Sequence, residues 1–121
     1  MALQVEFISV FDSKVITGTT ADAGATVVYT VPSNFDAELS LIMCTNGGAT
    51  NNISVQVYHA DGSEYHHLLR SHSVAGNDAL NVLDASRMYL HAGDKIVAYK
   101  GAGTFDVSIS GKHYYNPQRT I

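Results

Sequence analysis

The chain contains no tryptophan, one cysteine, two prolines and few charges, and each shortage excludes something. A single Cys44 rules out an intrachain disulfide, so stability has to come from a packed core. Charged residues make up 15% of the chain, against about 25% in typical soluble domains. Little charge is thus left to solvate an isolated monomer, which leans toward an assembled protein. The seven lysines and arginines are scattered from Lys14 to Arg119, and the net charge is −4. Nothing forms the basic stripe that phosphate contacts need, which argues against a nucleic-acid partner. No apolar run approaches the ~20 residues of a membrane-spanning helix. The first residues, Met1 to Phe11, lack a positively charged start and an uninterrupted apolar core, so they do not read as a signal peptide.

What is present is period-two alternation. Val27, Tyr29 and Val31 alternate with Thr26, Val28 and Thr30 up to Pro32. After the turn residue Asn34, Ala37, Leu39, Leu41 and Met43 resume the pattern. Residues 3 to 11 carry Leu3, Val5, Phe7, Ile8, Val10 and Phe11, too many apolar groups for a strand wet on one side. Asp12 and Ser13 are expected to break it, with a short strand from Lys14 to Thr19. Asn46-Gly47-Gly48 is a strong turn signal, expected to use positive φ. Ile53, Val55 and Val57 lead through Asp61-Gly62 into a hairpin with Tyr65 to Ser71. Asp78 to Leu90 is assigned to short strands, because its helical period fails at Arg87. His91-Ala92-Gly93-Asp94 turns into Lys95 to Lys100, and Phe105, Val107 and Ile109 close the series.

About eight strands with turns every 8 to 12 residues predict an all-β fold, a single antiparallel β-sandwich of jelly-roll or immunoglobulin-like topology. The expected core is Val27, Tyr29, Leu39, Leu41, Val55, Val57, Phe105, Val107 and Ile109. The expected organisation is an N-terminal strand or arm over 1–13, a sandwich over 14–111 and an aperiodic tail over 112–121.

No catalytic set is singled out by spacing. Cys44 sits in an apolar strand with nothing cationic beside it, so it reads as a small hydrophobe rather than a nucleophile. Four of the six histidines, His59, His66, His67 and His72, surround the Asp61 hairpin. Adjacent strand residues point to opposite faces, so at most one of His66 and His67 can join His59. A polar hairpin tip is favoured over a metal site, and neither an enzymatic activity nor a cofactor is expected. Tyr58, Tyr65, Tyr114 and Tyr115 are the aromatics available to a sugar, and equally to a protein interface.

Three motifs in order, Val28-Tyr29-Thr30-Val31-Pro32, Leu90-His91-Ala92-Gly93-Asp94-Lys95-Ile96 and Val107-Ser108-Ile109-Ser110-Gly111, resemble small virion structural proteins of tailed bacteriophages over roughly Lys14 to Gly111. The resemblance implies a head decoration or cement protein, made in the host cytoplasm and placed on the outer surface of the virion head. Its implied partners are the major capsid protein and copies of itself, a trimer ahead of a dimer. Tail, neck or fibre-associated roles, or a carbohydrate- or receptor-binding module, are the alternatives. The apolar N-terminal strand and the aromatic C-terminal segment depart from that pattern. Leu3, Val5, Phe7, Ile8, Val10, Phe11, Tyr114, Tyr115 and Arg119 are therefore the expected interface residues.

Overall fold

The computed structural model describes residues 7–117, and within them the chain is all-β apart from one turn of 3-10 helix at Asp22–Gly24. Nine strands follow in order: β1 (Phe7–Val15), β2 (Thr26–Thr30), β3 (Phe35–Asn46), β4 (Asn51–His59), β5 (Glu64–Val74), β6 (Ala79–Asn81), β7 (Met88–Leu90), β8 (Lys95–Lys100) and β9 (Phe105–Tyr115). They form two antiparallel sheets packed as a sandwich. One sheet has the order β1-β9-β3-β6, with β7 also on β3, and the other has the order β2-β8-β4-β5. The pairings nest: β4 with β5 innermost, then β3 with β6 and β7, then β2 with β8, and β1 with β9 outermost. A long hairpin rolled up in this way is a jelly roll.

The segment from Asp78 to Leu90 is strand, as expected. Val82 N–H donates to Ile42 C=O beyond the β6 ladder, and residues 83–87 loop out before β7 returns to β3. Leu83 turns back into the core at the base of that loop.

Three expectations fail for identifiable reasons. Leu41 is not in the core, because β3 carries an extra residue between Leu39, which pairs with Gly111, and Leu41, which pairs with Ser110. A one-residue bulge inverts the alternation, so Ile42 and Cys44 take the buried positions after Ala37 and Leu39. The same device excludes Val27. Val27 pairs with Val97 and Tyr29 with Ile96, which leaves Val28 as the extra residue of β2, buried while Val27 is 43% exposed. Third, Asp12 and Ser13 do not break the first strand. β1 runs through them to Val15 in unbroken register with Tyr114 to Asp106 of β9, because nine consecutive partners outweigh the low strand propensity of one aspartate.

The boundary expected at Gly111 is likewise no boundary. Lys112 to Tyr115 continue β9, paired on one side with Phe7 to Ser9 of β1 and on the other with Phe35 to Glu38 of β3. The tail over 112–121 is therefore strand up to Tyr115, and the N-terminal arm over 1–13 is strand from Phe7. Each end lost its periodicity on paper but gained the other as its partner.

Asn46 to Asn52 turns without positive φ at any of its residues. The buried Asn46 side chain organises it instead: Nδ2 donates to the carbonyls of Ala49 and Val74, and Oδ1 accepts from Gly48 N–H. Gly62, Gly93 and Gly103 do sit at positive φ in the turns where the sequence places them.

Gly111 closes the Val107-Ser108-Ile109-Ser110-Gly111 motif, and the bulge explains it. A Cβ there would overlap the carbonyl oxygen of Glu38 and crowd Leu39 Cα, both backbone atoms that cannot swing aside. Gly111→Ala is therefore expected to destabilise the fold by about 2 kcal/mol, lowering the melting temperature by roughly 8 °C in a calorimetric scan. An unchanged melting temperature would mean that β3 and β9 separate there at little cost.

Candidate interaction surface

Edge strands present unpaired backbone groups, so the sandwich's function is sought first along its edges. β1 and β2 are the edge strands of their sheets and lie on the same side, with a groove of about 550 Å³ between them. Val10, Asp12 and Lys14 line one wall, and Val27 to Thr30 with Pro32 line the other. His113 of β9 also borders it. Three of the large exposed apolar side chains stand here: Phe11 is 69% exposed, Val15 63% and Val27 43%. Tyr115, 45% exposed, lies at the end of the adjoining β9.

Tyr29 links the groove to the core. Its ring is buried, and its hydroxyl lies 3.4 Å from His113 Nδ1. Burial and, secondarily, the Asp12 carboxylate push the Tyr29 phenol up to about 12, so it stays protonated. Burial lowers the His113 pKa, which keeps the imidazole neutral and able to accept from that phenol. The His113 ring also packs 4.6 Å from Phe35, and Tyr115 meets Phe35 edge-on at 5.6 Å.

The structure divides the expected interface residues. Leu3, Val5 and Arg119 lie outside the described residues. Phe7 and Ile8 pair through their backbones with Tyr114 and His113. Val10 is buried and belongs to the core, whereas Phe11 is exposed. Tyr114 and Tyr115 are neighbours on a strand and part company. Tyr115 packs on Phe35, while Tyr114 faces Glu38 Oε2 at 3.4 Å with the Lys112 ammonium 5.7 Å from its ring. They do not form one anchor. The sequence pattern does not point to Val15 or Val27: it assigns Val15 to a separate short strand and Val27 to the core, because a bulge leaves no mark in the alternation.

A second, polar surface covers the outer face of the other sheet. Tyr58 and Tyr65 stack across β4 and β5 at 4.7 Å, with the Lys95 ammonium 5.2 Å from the Tyr58 ring. Beside them the Arg70 guanidinium donates to His67 Nδ1 at 2.9 Å. Since a guanidinium only donates, the proton of neutral His67 sits on Nε2, which donates to the Tyr99 hydroxyl at 2.7 Å. On the same face Gln56, fully buried, exchanges two hydrogen bonds with the backbone N–H and carboxylate of Asp22 and so fastens the 3-10 turn over β4. The four tyrosines considered for a sugar thus lie on different surfaces.

His66 and His67 split between faces as the alternation requires. His66 lies 5.5 Å from His59 and 3.3 Å from Glu64, while His67 faces Tyr99. His59 in turn approaches the buried Asp94 carboxylate at 3.7 Å. Among the described residues no group of three or more His, Cys, Asp and Glu side chains is arranged to hold a metal ion. Burial pushes the Cys44 thiol up to about 12, far from the range of a nucleophile.

His67 and His113 give the fold a pH dependence. Burial lowers the pKa of both, and Arg70 adds to the effect at His67 against a smaller opposing pull from Asp22. In the unfolded chain both titrate near the ordinary ~6.5, so below that the unfolded state binds more protons. Their stabilisation is fully present above about pH 6.5 and is lost as pH falls toward their lower folded values. The urea midpoint should drop between about pH 7.5 and about pH 5, and His113→Gln should flatten that slope. A flat wild-type profile would contradict the neutral assignments. Removing residues 112–121 should also lower the melting temperature sharply, because it strips the last four pairs from β9 and leaves Phe35 uncovered. A truncated chain that melts like the full one would show the paired end to be dispensable.

Neither any protein-family model nor any curated protein sequence matches this chain significantly.

Proposed function

We propose that this chain is a bacteriophage virion structural protein, a decoration or cement protein that sits as an oligomer on the outer surface of the head and stabilises the shell through contacts with the major capsid protein. The observation that supports this most is the crowding of exposed apolar side chains, Phe11 and Val15 on β1 and Val27 on β2, along two adjacent edge strands of a sandwich whose chain carries few charges. Such an edge suits burial against protein. The three ordered motifs that resemble small tailed-phage virion proteins supply the viral context. Each has a structural use: at the Ala-Gly-Asp turn Val31 N–H donates to Asp94 C=O and Val31 C=O accepts from Gly93 N–H, and Gly111 admits the β3 bulge. In this reading the protein works by contact, with no catalytic step and no cofactor, and it is present in the host cytoplasm only until assembly.

The Tyr58 and Tyr65 pair with Lys95 over it favours a second reading, a carbohydrate- or receptor-binding module. The two readings separate in one pair of experiments. Purified protein mixed with undecorated heads should co-sediment with them and raise their resistance to heat, while a glycan array stays blank. Glycan binding without head binding would replace the first reading by the second, and binding to tails but not heads would move the protein to the tail, neck or fibre.

A further inference from the structure

We propose that two copies of this chain pair through β1, antiparallel about a two-fold axis at Ser13, joining their β1-β9-β3 sheets into one continuous sheet. The four sheet edges differ in how they meet solvent. β6 and β7 are three residues each, and β2 is five residues with a bulge at Val28. β5 is irregular, with register shifts opposite Ile53 to Gln56, Ser71 at φ 46°, and an exposed polar run from Arg70 to Ser73. These are the devices that keep strands from adding to an edge. β1 is neither short, bulged nor irregular: it is nine residues long, holds unshifted register with β9, and exposes Phe11, Asp12, Ser13, Lys14 and Val15 in succession.

Its charges choose the occupant. A lone inward lysine would repel most added strands, but here Asp12 stands two residues before Lys14 on the same face, and among the described residues neither takes part in an ion pair. Antiparallel pairing about Ser13 sets Asp12 opposite Lys14 of the second copy and Lys14 opposite its Asp12. Phe11 and Val15 meet in the same reciprocal way on the other face. Pairing about Asp12 would oppose aspartate to aspartate, and pairing about Lys14 would oppose lysine to lysine. One register therefore satisfies both charges and covers both exposed apolar side chains. This two-fold contact differs from the three-fold arrangement that the phage resemblance implies. It goes beyond the capsid reading, and the test needs no capsid, so the two fail separately.

Sedimentation velocity of the full chain across the micromolar range should show a monomer–dimer equilibrium. Asp12→Lys and Lys14→Asp should each weaken the dimer by about tenfold or more, since each turns two attractive pairs into repulsive ones. The double exchange D12K/K14D should restore it, and mixing the two single variants should give a heterodimer tighter than either homodimer. Both side chains are exposed, and circular dichroism checks that each variant folds. Ser13→Cys, which leaves every charge in place, should cross-link copy to copy under mild oxidation, whereas Thr19→Cys, exposed outside the strand, should not. A monomer at all concentrations, a trimer, a dimer indifferent to the charge exchanges, or equal cross-linking at both cysteines would overturn the proposal.

Discussion

A buried carboxylate holds one end of the roll together. Asp94 is 4% exposed, and its two oxygens accept the backbone N–H groups of Ala60 and His91 at 2.9 Å each. Its own carbonyl accepts Val31 N–H, and the preceding Gly93 N–H donates to Val31 C=O. The β4–β5 hairpin and the β7–β8 connection therefore meet at one side chain, and the end of β2 is held by the backbone of the same turn. A charge taken out of water is tolerable only where donors are aimed at it, and here they come from two separate connections. Among the described residues three other polar side chains are buried: Asn46, Ser54 and Gln56. Asn46 ties the turn after β3 to Val74 at the other end of the sandwich, Ser54 accepts Ser71 N–H where β5 is irregular, and Gln56 holds the 3-10 turn. Each supplies backbone groups that strand pairing leaves over, and among the described residues no buried side-chain polar atom lacks a partner.

That pattern separates what the sequence showed of the fold from what it did not. Alternation located the strands, because one face of each must meet the opposing sheet, and it kept a helix out of Asp78 to Leu90. It failed where a single extra residue inverts the phase. Nothing in Ser40-Leu41-Ile42 says that the count slips, and only Gly111, on β9 with five strands between, hints at a crowded backbone. Nor does alternation reveal pairing between chain ends. Asp12 and Ser13 looked like a break and Lys112 to Tyr115 looked aperiodic, since each was judged without the strand that orders it.

Of the candidate surface, the sequence showed the excess of apolar residues near the N-terminus but not its distribution. Phe11 faces out and Val10 faces in, as neighbours on a strand must. Val27 comes outward only because Val28 bulges, and Tyr114 and Tyr115 diverge because they are adjacent on one strand. The groove itself exists because β1 and β2 belong to different sheets that end on the same side, a fact of topology that no local pattern encodes.

The scarcity of charge is not spread evenly over this surface. Among the described residues five large apolar side chains are exposed, and of these Phe11, Val15 and Val27 stand on the two adjacent edge strands, with Tyr115 on the strand paired to β1. Elsewhere Arg87 pairs with Glu38 at 2.8 Å beside β3 and β7, and His91 approaches Asp36 at 3.2 Å. Buried polar side chains pin the turns at both ends and one outer face, and short or irregular strands protect the far edges. Phe11 and Val15 of β1 stay exposed on a strand that, among the described strands, pairs with β9 alone, and apolar side chains on such an edge are stabilised when a further surface covers them.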